Sequence, residues 1–319
     1  MRFIIYGTGA IGGVIGARLH QSGYEVVAIA RGAQLDAIRS RGLRVETPSG
    51  AAEVALPAVG HPSEIAWRAG DVVLLAVKTQ HSAAALDALG ACAPRQCAIL
   101  CAQNGVENER LALERFPVVH GVAVMCPALH LEPGVVQAYA DPIAGILDVG
   151  RWPTGVDDTA RAVAAAFERS TFVSEARPDI ARWKYRKLIT NLGNAVQALC
   201  ASGGGELVRR AQAEGEACLR AAGIAVASLE EDRARRGDIL RVQPIAGRRR
   251  PGGSTWQSLA RAGGSVETDH LNGEIVRLGR LHGVPTPVNA LLQRCAAEAA
   301  RGRRPPGELS EAALLRQLD

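Results

Sequence analysis

Apolar residues in the first half of the chain form short continuous runs, and each run precedes a segment with helical periodicity. Residues 2–6 are the first such run, and apolar positions within 11–19 then recur at the helical spacing. Short continuous runs are typical of strands buried on both faces of a parallel sheet and joined by right-handed crossover helices. The same pattern predicts later strands at 25–30, 71–77, 97–101, 118–125, 135–138 and 146–149.

The pattern changes within Ser174–Pro178, because strand signals nearly vanish beyond it and long helical periodicity dominates. The sequence therefore predicts an α/β, doubly wound N-terminal domain over 1–176 and an all-α C-terminal domain over 177–319. Near the end, Pro305-Pro306-Gly307 interrupts the helical pattern and predicts a short tail with its own helix near 309–318.

Composition restricts the class of protein. The chain has 319 residues, 47% of them hydrophobic, which suffices for two domains with ordinary cores. It has no run of about 18 uninterrupted apolar residues, so no membrane span is expected. The strand signal at the N-terminus leaves no room for a cleaved signal peptide, so we expect a cytoplasmic protein. We expect it to be a monomer or a homodimer. The seven cysteines include no C-x-x-C pair, so we expect free buried thiols and no metal site.

The net charge of +5 by itself permits a nucleic-acid partner. However, the basic residues are scattered and only 4% of residues are aromatic, which leaves few surfaces on which bases could stack. We therefore expect a small-molecule ligand and no nucleic acid. The densest basic cluster, Arg248-Arg249-Arg250, is equally consistent with an anion-attracting loop and with a solvated one.

The first candidate site is the turn between the first strand and the first helix. Its sequence, Gly7-Thr8-Gly9-Ala10-Ile11-Gly12, has the G-x-G-x-x-G spacing in the strand–turn–helix context of dinucleotide-binding folds. Glycine admits close approach of the backbone to a pyrophosphate, and free N–H groups at the helix start receive its charge. These six residues predict a Rossmann-type cofactor site, and the alternative is a tight turn that binds nothing.

Arg31 follows the second predicted strand, where NAD-binding folds usually have an acidic residue for the ribose 2′-hydroxyl. An arginine there accommodates a 2′-phosphate instead, since a planar, permanently charged guanidinium suits a phosphate dianion. The position favours NADPH as the cofactor. The alternative is a solvated surface arginine.

Lysine is scarce, because only three of the 37 basic residues are lysines. A buried lysine can give up its proton, whereas arginine hardly can, so a lysine kept against this background indicates proton chemistry or chance retention. Lys78 stands at the carboxyl end of the strand predicted at 71–77, and Asn104 follows the one at 97–101. Ligands of doubly wound sheets bind at that edge, so both residues are predicted cofactor contacts.

A second candidate site lies on the helix predicted after Asp179. Lys187, Asn191 and Asn194 are spaced i, i+4 and i+7, which places them in one narrow stripe beside a broad apolar arc. A solvated face would be expected to carry long charged side chains. A lysine with two short amides favours an interior polar site, with a solvated stripe as the alternative.

Together these residues resemble the ketopantoate reductase (2-dehydropantoate 2-reductase) family. The resemblance runs from Gly7 to about Asn289, and its marks are the glycine loop, Arg31, Val77-Lys78, Gln103-Asn104-Gly105, Arg186-Lys187-Leu188 with Asn191, Ser254-Thr255-Trp256-Gln257 and Glu267-Thr268-Asp269-His270-Leu271-Asn272-Gly273.

The resemblance implies NADPH binding by a Rossmann domain, and it assigns roles to residues of this chain. Lys187 would be the proton donor and Glu267 a substrate-anchoring carboxylate. Asn104, Asn191 and Ser254 would hold the cofactor amide and the substrate. Asn194 lies one position before the place of the family's second asparagine.

Departures from the family pattern lie on the substrate side. Pro251 stands where the family often has asparagine, and Ser258 stands where an aspartate commonly follows the glutamine. Thr255, followed by the bulky Trp256, replaces a frequent methionine, and one residue is added within Arg261-Ala262-Gly263-Gly264. The reductase chemistry is therefore better indicated than the identity of its oxo acid.

The sequence thus predicts an NADP-dependent oxidoreductase that reduces a 2-oxo acid, with 2-dehydropantoate of pantothenate biosynthesis as the leading substrate. The predicted catalytic residues are Lys187, Asn104 and Glu267. The predicted substrate contacts are Lys187, Asn191, Asn194, Ser254 and Glu267.

Two alternatives stay open: a reductase of the same family with another 2-oxo acid, and a non-catalytic NADPH-sensing protein. A sensor would keep the glycine loop and Arg31 but would need neither Lys187 nor Glu267. A methyltransferase with a similar glycine loop is disfavoured by Arg31 and by the helical second domain.

Overall fold

The computed structural model describes residues 1–201 and 204–318. The chain divides into two compact units. The first unit comprises Met1–Lys184 and Glu230–Arg250, and the second comprises Tyr185–Leu229 and Pro251–Asp319. No helix among the described residues is both long and apolar enough to cross a bilayer.

The described strands all belong to the first unit. They are β1 (Arg2–Tyr6), β2 (Glu25–Ile29), β3 (Leu43–Thr47), β4 (Gly50–Val54), β5 (Ala58–Val59), β6 (Asp71–Leu75), β7 (Ala98–Cys101), β8 (Val119–Met125), β9 (Ala128–Leu129), β10 (Val135–Ala138), β11 (Gly145–Arg151) and β12 (Phe172–Val173).

The described α-helices occur in both units. They are α1 (Ala10–Gln21), α2 (Gly32–Arg41), α3 (Ser82–Gly90), α4 (Glu107–Leu113), α5 (Asp158–Arg169), α6 (Ile180–Asn191), α7 (Gly193–Leu199), α8 (Gly205–Ala221), α9 (Leu229–Arg236), α10 (Ser254–Ala260), α11 (Asn272–His282), α12 (Pro287–Arg301) and α13 (Glu311–Leu315). Short 3₁₀ helices cover Pro62–Glu64, Thr79–His81 and Glu267–His270.

The main sheet of the first unit has eight strands in the order β12-β11-β8-β7-β6-β1-β2-β5. Alternate residues of β1 point into different cores: Phe3 and Ile5 pack in one hydrophobic cluster, and Ile4 and Tyr6 pack in another. A sheet that buries both faces needs helices on both, as continuous apolar strands predict. The predicted α/β, doubly wound N-terminal fold is confirmed.

Two strands of the main sheet, β11 and β12, run antiparallel to the others. β11 pairs with β8 in the antiparallel direction, whereas the other pairings in this sheet are parallel. A parallel connection requires a long crossover, usually a helix, but the described segment between β8 and β11 contains only the short strands β9 and β10. The sheet is therefore parallel up to β8 and mixed beyond it.

A second sheet of four strands, β4-β3-β10-β9, was not expected from the sequence. The strand predicted at 135–138 is present as β10, but it pairs with β3 and β9 and not with the main sheet. The hairpin partner β4 is exposed at four of its five positions. It therefore lacks the continuous apolar run from which the other strands were predicted.

The compact units differ from the predicted division at 176/177. The segment Glu230–Arg250 belongs to the first unit, although it follows helices of the second. Arg235 of α9 explains its position, because its guanidinium donates two hydrogen bonds, of 2.6 and 2.9 Å, to the carboxylate of Asp148 in β11. Asp148 is fully buried and also accepts a bond from Arg177 at 2.8 Å.

The second unit is built from helices packed around apolar side chains, as predicted. Its C-terminal tail is attached to it: Gly307 N–H donates to the Ala198 carbonyl and Leu309 N–H to the Leu199 carbonyl, each at 2.9 Å. Glu311 then accepts hydrogen bonds from the backbone N–H groups of Gly204 and Leu207, at 2.8 and 2.9 Å. A carboxylate at the start of α8 satisfies N–H groups that have no partner within the helix.

Candidate functional site

A cavity of about 260 Å³ opens at the carboxyl ends of β1 and β2 in the first unit. Parallel strands end at the same edge of the sheet, which is where doubly wound folds bind nucleotides. The residues that line the cavity are Tyr6, Gly7, Thr8, Gly9, Ile29, Ala30, Arg31, Gln34, Val77 and His130.

The glycines of the loop have different roles. Gly7 has a φ of +100°, and a Cβ there would lie 2.7 Å from the backbone nitrogen of Val77. A Cβ on Gly9 would meet only a ring carbon of His130, at 4.0 Å, so the missing side chain leaves open space at the cavity wall. Gly12 does not line the cavity, and a Cβ there would lie 2.1 Å from the Gly7 carbonyl oxygen. The lack of a Cβ at Gly12 therefore allows α1 to pack closely against the loop.

The start of α1 offers hydrogen-bond donors beside this open space. Gly9 is the N-cap residue and Ala10 begins the helix, whose first N–H groups have no intrahelical acceptor. Thr8 is buried, and its Oγ1 has no hydrogen-bond partner among the described residues. A buried hydroxyl without a partner costs about 1–3 kcal/mol, so a bound phosphate oxygen would stabilise it. The loop therefore fits a dinucleotide.

Two residues that the sequence interpretation missed shape the same wall. Gln34 in α2 donates to the Thr8 carbonyl at 2.7 Å and accepts from the Gly134 N–H at 2.6 Å, which fixes the loop's backbone. His130 follows β9, and its Nδ1 lies 2.9 Å from the Val135 carbonyl oxygen. No spacing in the sequence marks either residue, because both reach the cavity only through the second sheet and α2.

Arg31 is the N-cap residue of α2, directly after β2, and its side chain is exposed at the cavity wall. The helix start behind it adds further N–H donors to the same place. A permanent positive charge at the end of β2 suits a phosphate on the adenosine ribose. Arg31 therefore places a positive charge at the cavity wall.

Lys78 and Asn104 do not line the cavity but lie further along the same edge. Lys78 follows the lining residue Val77, after β6, and Asn104 lies in the loop after β7; both are half-buried. Because the strand order is β2-β1-β6-β7, a ligand that starts at Arg31 and extends along this edge reaches Lys78 and then Asn104.

A buried polar network connects these two loops. Gln103 donates from its amide to the Val77 carbonyl at 2.9 Å and to Ser82 Oγ at 2.7 Å, and Ser82 donates to Asn108 Oδ1 at 2.6 Å. Asn108 Nδ2 lies 3.2 Å from the Asn104 carbonyl. The sequence drew attention to Gln103, whereas Ser82 and Asn108 were missed, since their partners lie more than 20 residues away.

A buried ion pair lies next to the loop after β7. Lys184 in α6 pairs with Glu109 in α4, and their side chains are 3% and 0% exposed. Lys184 Nζ also donates to the carbonyls of Cys101 and Gln103, at 3.2 and 3.0 Å. Burial raises the pKa of the Glu109 carboxyl, and the neighbouring Lys184 ammonium opposes that rise. Burial also raises the pKa of the Cys101 thiol well above its usual range.

In the second unit, Lys187 and Asn191 lie one turn apart in α6, half-buried and buried respectively. The helix was predicted to continue through Asn194, but it ends at Asn191, and α7 begins at Gly193. A Cβ on Gly193 would lie 3.2 Å from two carbons of Val208. The predicted stripe is divided between two helices, at a place where α8 packs closely.

Buried amides hold this helix junction. Asn272 Nδ2 donates to the Leu192 carbonyl at 3.2 Å and to Asn289 Oδ1 at 2.9 Å. Asn289 in turn donates to the Ala211 carbonyl at 2.9 Å and to Glu214 at 2.7 Å. The network joins the α6–α7 junction at Leu192 to α8, α11 and α12, and it connects this junction to the segment that follows Glu267.

Ser254 begins α10 and is brought close to Asn194. The Gly253 N–H donates to Gln197 Oε1 at 2.9 Å, and a Cβ on Gly253 would lie 3.5 Å from Asn194 Oδ1. Ser254 Oγ is buried without a hydrogen-bond partner among the described residues. It is therefore a hydroxyl available to a ligand.

Glu267 begins the 3₁₀ helix at Glu267–His270 and is 4% exposed. A carboxylate is rarely buried, because its burial is costly unless the charge is paired. The burial of Glu267 therefore marks it as a candidate functional residue. Trp256, one of the departures from the family pattern, packs over Gly252, where a Cβ would lie 2.4 Å from the indole. Its indole therefore packs against the backbone just before α10.

The Arg248–Arg250 cluster and the cysteines are the remaining features that the sequence singled out. The loop before Pro251 is turned by mutual backbone hydrogen bonds between Ile245 and Arg248, at 3.1 and 2.9 Å. Arg250 is half-buried, and burial lowers its pKa. All seven cysteines are free thiols, and the described residues contain no cluster of metal-ligating side chains.

Family models match the chain over most of its length. The model described as Ketopantoate reductase PanE/ApbA matches residues 3–153, and Ketopantoate reductase PanE/ApbA C terminal matches residues 179–300. A 2-dehydropantoate 2-reductase of Halobacterium salinarum is 30% identical over 313 residues, covering 90% of this chain and 95% of that protein. A 2-dehydropantoate 2-reductase of Caulobacter vibrioides is 31% identical over 297 residues, covering 90% of this chain and 95% of that protein.

Solved structures agree in fold. A PanE/ApbA family ketopantoate reductase from Ralstonia eutropha superposes with a TM-score of 0.78 at 28% identity, covering 95% of this chain and all of that one (100%). D-mandelate dehydrogenase, in a ternary structure with NADH and anilino(oxo)acetate, superposes with a TM-score of 0.79 at 23% identity. The match covers 95% of this chain and 99% of that one.

Proposed function

The chain belongs to the ketopantoate reductase family of oxidoreductases, and we propose that it reduces a 2-oxo acid to a 2-hydroxy acid with NADPH. The observation that supports NADPH as the cofactor is the cavity at the ends of β1 and β2. There the open space at Gly9, the unsatisfied Thr8 hydroxyl and the Arg31 guanidinium form one wall. These groups complement a pyrophosphate and a 2′-phosphate.

Ala10, Ile11 and Gly12 complete the proposed cofactor loop in the first turn of α1. When bound, NADPH supplies a hydride to the carbonyl carbon of the substrate. Lys78 and Asn104, at the ends of the next two strands, would hold the remaining part of the cofactor. In this role Asn104 orients the nicotinamide amide.

Lys187 is the proposed general acid. The carbonyl oxygen gains negative charge during the reaction, and the ammonium of Lys187 donates a proton to it. Asn191 lies one turn further along α6, so its amide is in reach of the Lys187 side chain or of the substrate. Its burial restricts the amide to few orientations, which suits a positioning group.

Glu267, Ser254 and Asn194 are the proposed substrate contacts. Ser254 Oγ is buried without a partner, so a substrate hydroxyl would satisfy it. A buried carboxylate at Glu267 would accept a hydrogen bond from a hydroxyl and repel a second acidic group on the substrate. We therefore propose a mono-acid 2-oxo substrate bearing a hydroxyl, with 2-dehydropantoate first and pantoate for pantothenate synthesis as its product.

An aromatic 2-oxo acid is the second candidate. Trp256 stands in the substrate segment, and a protein of the same fold, D-mandelate dehydrogenase, was solved with NADH and anilino(oxo)acetate. This relative also makes NADH the competing cofactor. A non-catalytic NADPH sensor is the remaining alternative, and it would bind the cofactor without turnover.

NADPH oxidation against a panel of 2-oxo acids tests these proposals. We expect the highest kcat/KM with 2-dehydropantoate, compared with its deoxy analogue, 2-oxoglutarate and phenylglyoxylate. A preference for the deoxy analogue or the dicarboxylate would contradict the proposed pocket, and a preference for phenylglyoxylate would select the aromatic alternative. Tight NADPH binding with no oxidation by any oxo acid would favour a sensor.

A further inference from the structure

The ion pair between Lys184 and Glu109 has no part in the proposed hydride and proton steps. It is nevertheless among the most completely buried charge pairs of the first unit. Taking two charges out of water costs several kcal/mol per ion, and apolar residues of similar size often serve stability as well. A gain in stability alone therefore does not account for the pair.

The fold makes specific room for this pair. Gly121 in β8 lies beside it: a Cβ there would approach Lys184 Cδ to 3.1 Å and Glu109 Oε1 to 3.4 Å. The neighbouring Val119 and Val122 are fully buried core residues of ordinary size. Gly121 thus leaves space in β8 for the side chains of Lys184 and Glu109, where a larger residue would clash with them.

The contacts of Lys184 show what the pair does. Its ammonium donates to two backbone carbonyls. One belongs to Cys101, which is the last residue of β7, and the other to Gln103, which directly precedes Asn104. The side chain of Gln103 is fixed separately, by Val77 and Ser82. On the other side, the Asn104 carbonyl accepts from Asn108 Nδ2 at 3.2 Å. The backbone on both sides of Asn104 is therefore fixed by buried polar groups.

The order of the strands indicates which part of the cofactor this loop would meet. Arg31 and the glycine loop end β2 and β1, and Asn104 follows β7, two strands beyond β1 at the same edge. Neighbouring strands are about 4.8 Å apart, so β2 and β7 are separated by roughly 14 Å. A dinucleotide anchored by its 2′-phosphate at Arg31 would bring its nicotinamide half to Asn104.

We propose that Lys184, paired with Glu109, is a positioning residue that fixes the Asn104 loop for the nicotinamide half of NADPH. The inference rests on the proposed function, because it assumes that the cavity holds NADPH. Lys184 itself touches neither cofactor nor substrate. Its effect on the reaction passes through the backbone at Gln103 and Asn104.

The test compares two ligands: NADPH, and 2′-phosphoadenosine 5′-diphosphoribose, which lacks the nicotinamide. Lys184→Met alone leaves Glu109 buried and unpaired, which can prevent folding, so the main variant is the double substitution Lys184→Met/Glu109→Met. Replacing both charges by apolar groups of similar length keeps the volume filled. Dissociation constants for both ligands are measured by calorimetry on the full-length protein.

A matched control removes a similar ion pair from the opposite edge of the same sheet. Arg2 in β1 bonds to Asp71 in β6 at 2.7 and 2.9 Å and to the Ala66 carbonyl at 2.8 Å. Arg2→Met/Asp71→Met therefore also deletes a largely buried pair that holds a backbone carbonyl. It lies at the other ends of the strands, so the affinities for both ligands should stay within about twofold of the original protein.

We expect the Lys184→Met/Glu109→Met variant to bind NADPH about tenfold more weakly, a change of ~1.4 kcal/mol. Its affinity for the fragment without nicotinamide should be unchanged. Equal losses for both ligands, or no loss for either, would overturn the positioning role. If the original protein bound neither ligand, the proposed cofactor itself would be wrong, and the positioning role with it.

Discussion

The two units of the molecule hold their candidate residues in different ways. In the first, backbone geometry makes the site, because the glycine loop and Arg31 meet at the ends of the adjacent strands β1 and β2. In the second, Lys187, Ser254 and Glu267 come from different helices, and buried amides such as Asn272 hold the helix ends together. The candidate residues of the first unit are marked by one short motif, whereas Ser254 and Glu267 of the second unit were predicted only through the family resemblance.

The largest expected effect is the fall in kcat on substitution of Lys187. This substitution tests whether the second unit supplies the proton. Lys187→Ala should lower kcat by about 10²–10⁴-fold, the usual contribution of a general acid, with NADPH affinity nearly unchanged. Lys187→Arg should be almost as poor, since guanidinium hardly gives up a proton. Steady-state kinetics and cofactor titration measure both. Most of the activity surviving in Lys187→Arg would make the residue an electrostatic anchor.

The next effect concerns Arg31, and it tests whether the first unit selects the cofactor. Arg31→Ala removes a charge-assisted hydrogen bond worth about 1.5–3 kcal/mol, so NADPH should bind roughly ten- to a hundredfold more weakly. NADH, which lacks the 2′-phosphate, should bind almost as before. Titration of both cofactors measures the ratio of their affinities.

A control for Arg31 is available in the same helix. Arg39 in α2 is half exposed and pairs with the side chain of Glu64 at 3.2 Å, outside the cavity. Arg39→Ala removes the same charge but should leave both cofactor affinities unchanged. If Arg31→Ala weakened NADH as much as NADPH, the 2′-phosphate assignment would be contradicted.

The smallest expected effect concerns the amide network of the second unit. Asn289→Leu deletes hydrogen bonds to Asn272, Ala211 and Glu214 and leaves some of these buried groups without partners. The free energy of unfolding should fall by about 1–3 kcal/mol. Because the network holds the end of α6, kcat/KM for the oxo acid should fall too, while NADPH affinity is kept. Urea unfolding and kinetics measure the two effects.

Gln293 provides the comparison for Asn289, since it lies one turn further along α12. Its amide bonds to Asp269 Oδ1 at 2.8 Å in an exposed position. Gln293→Leu should cost less than ~0.5 kcal/mol, as surface substitutions do. Equal destabilisation by the two substitutions would show that the buried network has no special part in holding the second unit.

Much of the first unit could be predicted because its signals are local. Continuous apolar runs placed β1 and β6, and the loop from Gly7 to Gly12 placed the cavity. The second sheet was missed since β4 is exposed along most of its length and has no apolar pattern. In the second unit the sequence predicted helices, but not the break at Leu192, which coincides with close packing at Gly193.

What the sequence by itself determined is therefore the fold class, the glycine-containing turn between β1 and α1 and the position of Arg31 at the end of β2. Each depends on backbone preferences or apolar spacing within about a dozen neighbouring residues. Only the tertiary structure decided that Arg235 joins its segment to the first unit and that Lys184 holds the loop of Asn104. Arg235 and Asp148 are 87 residues apart, and Lys184 and Cys101 are 83 apart. Such pairings follow from which buried charges and carbonyls meet once the whole chain has packed, and no local pattern encodes them.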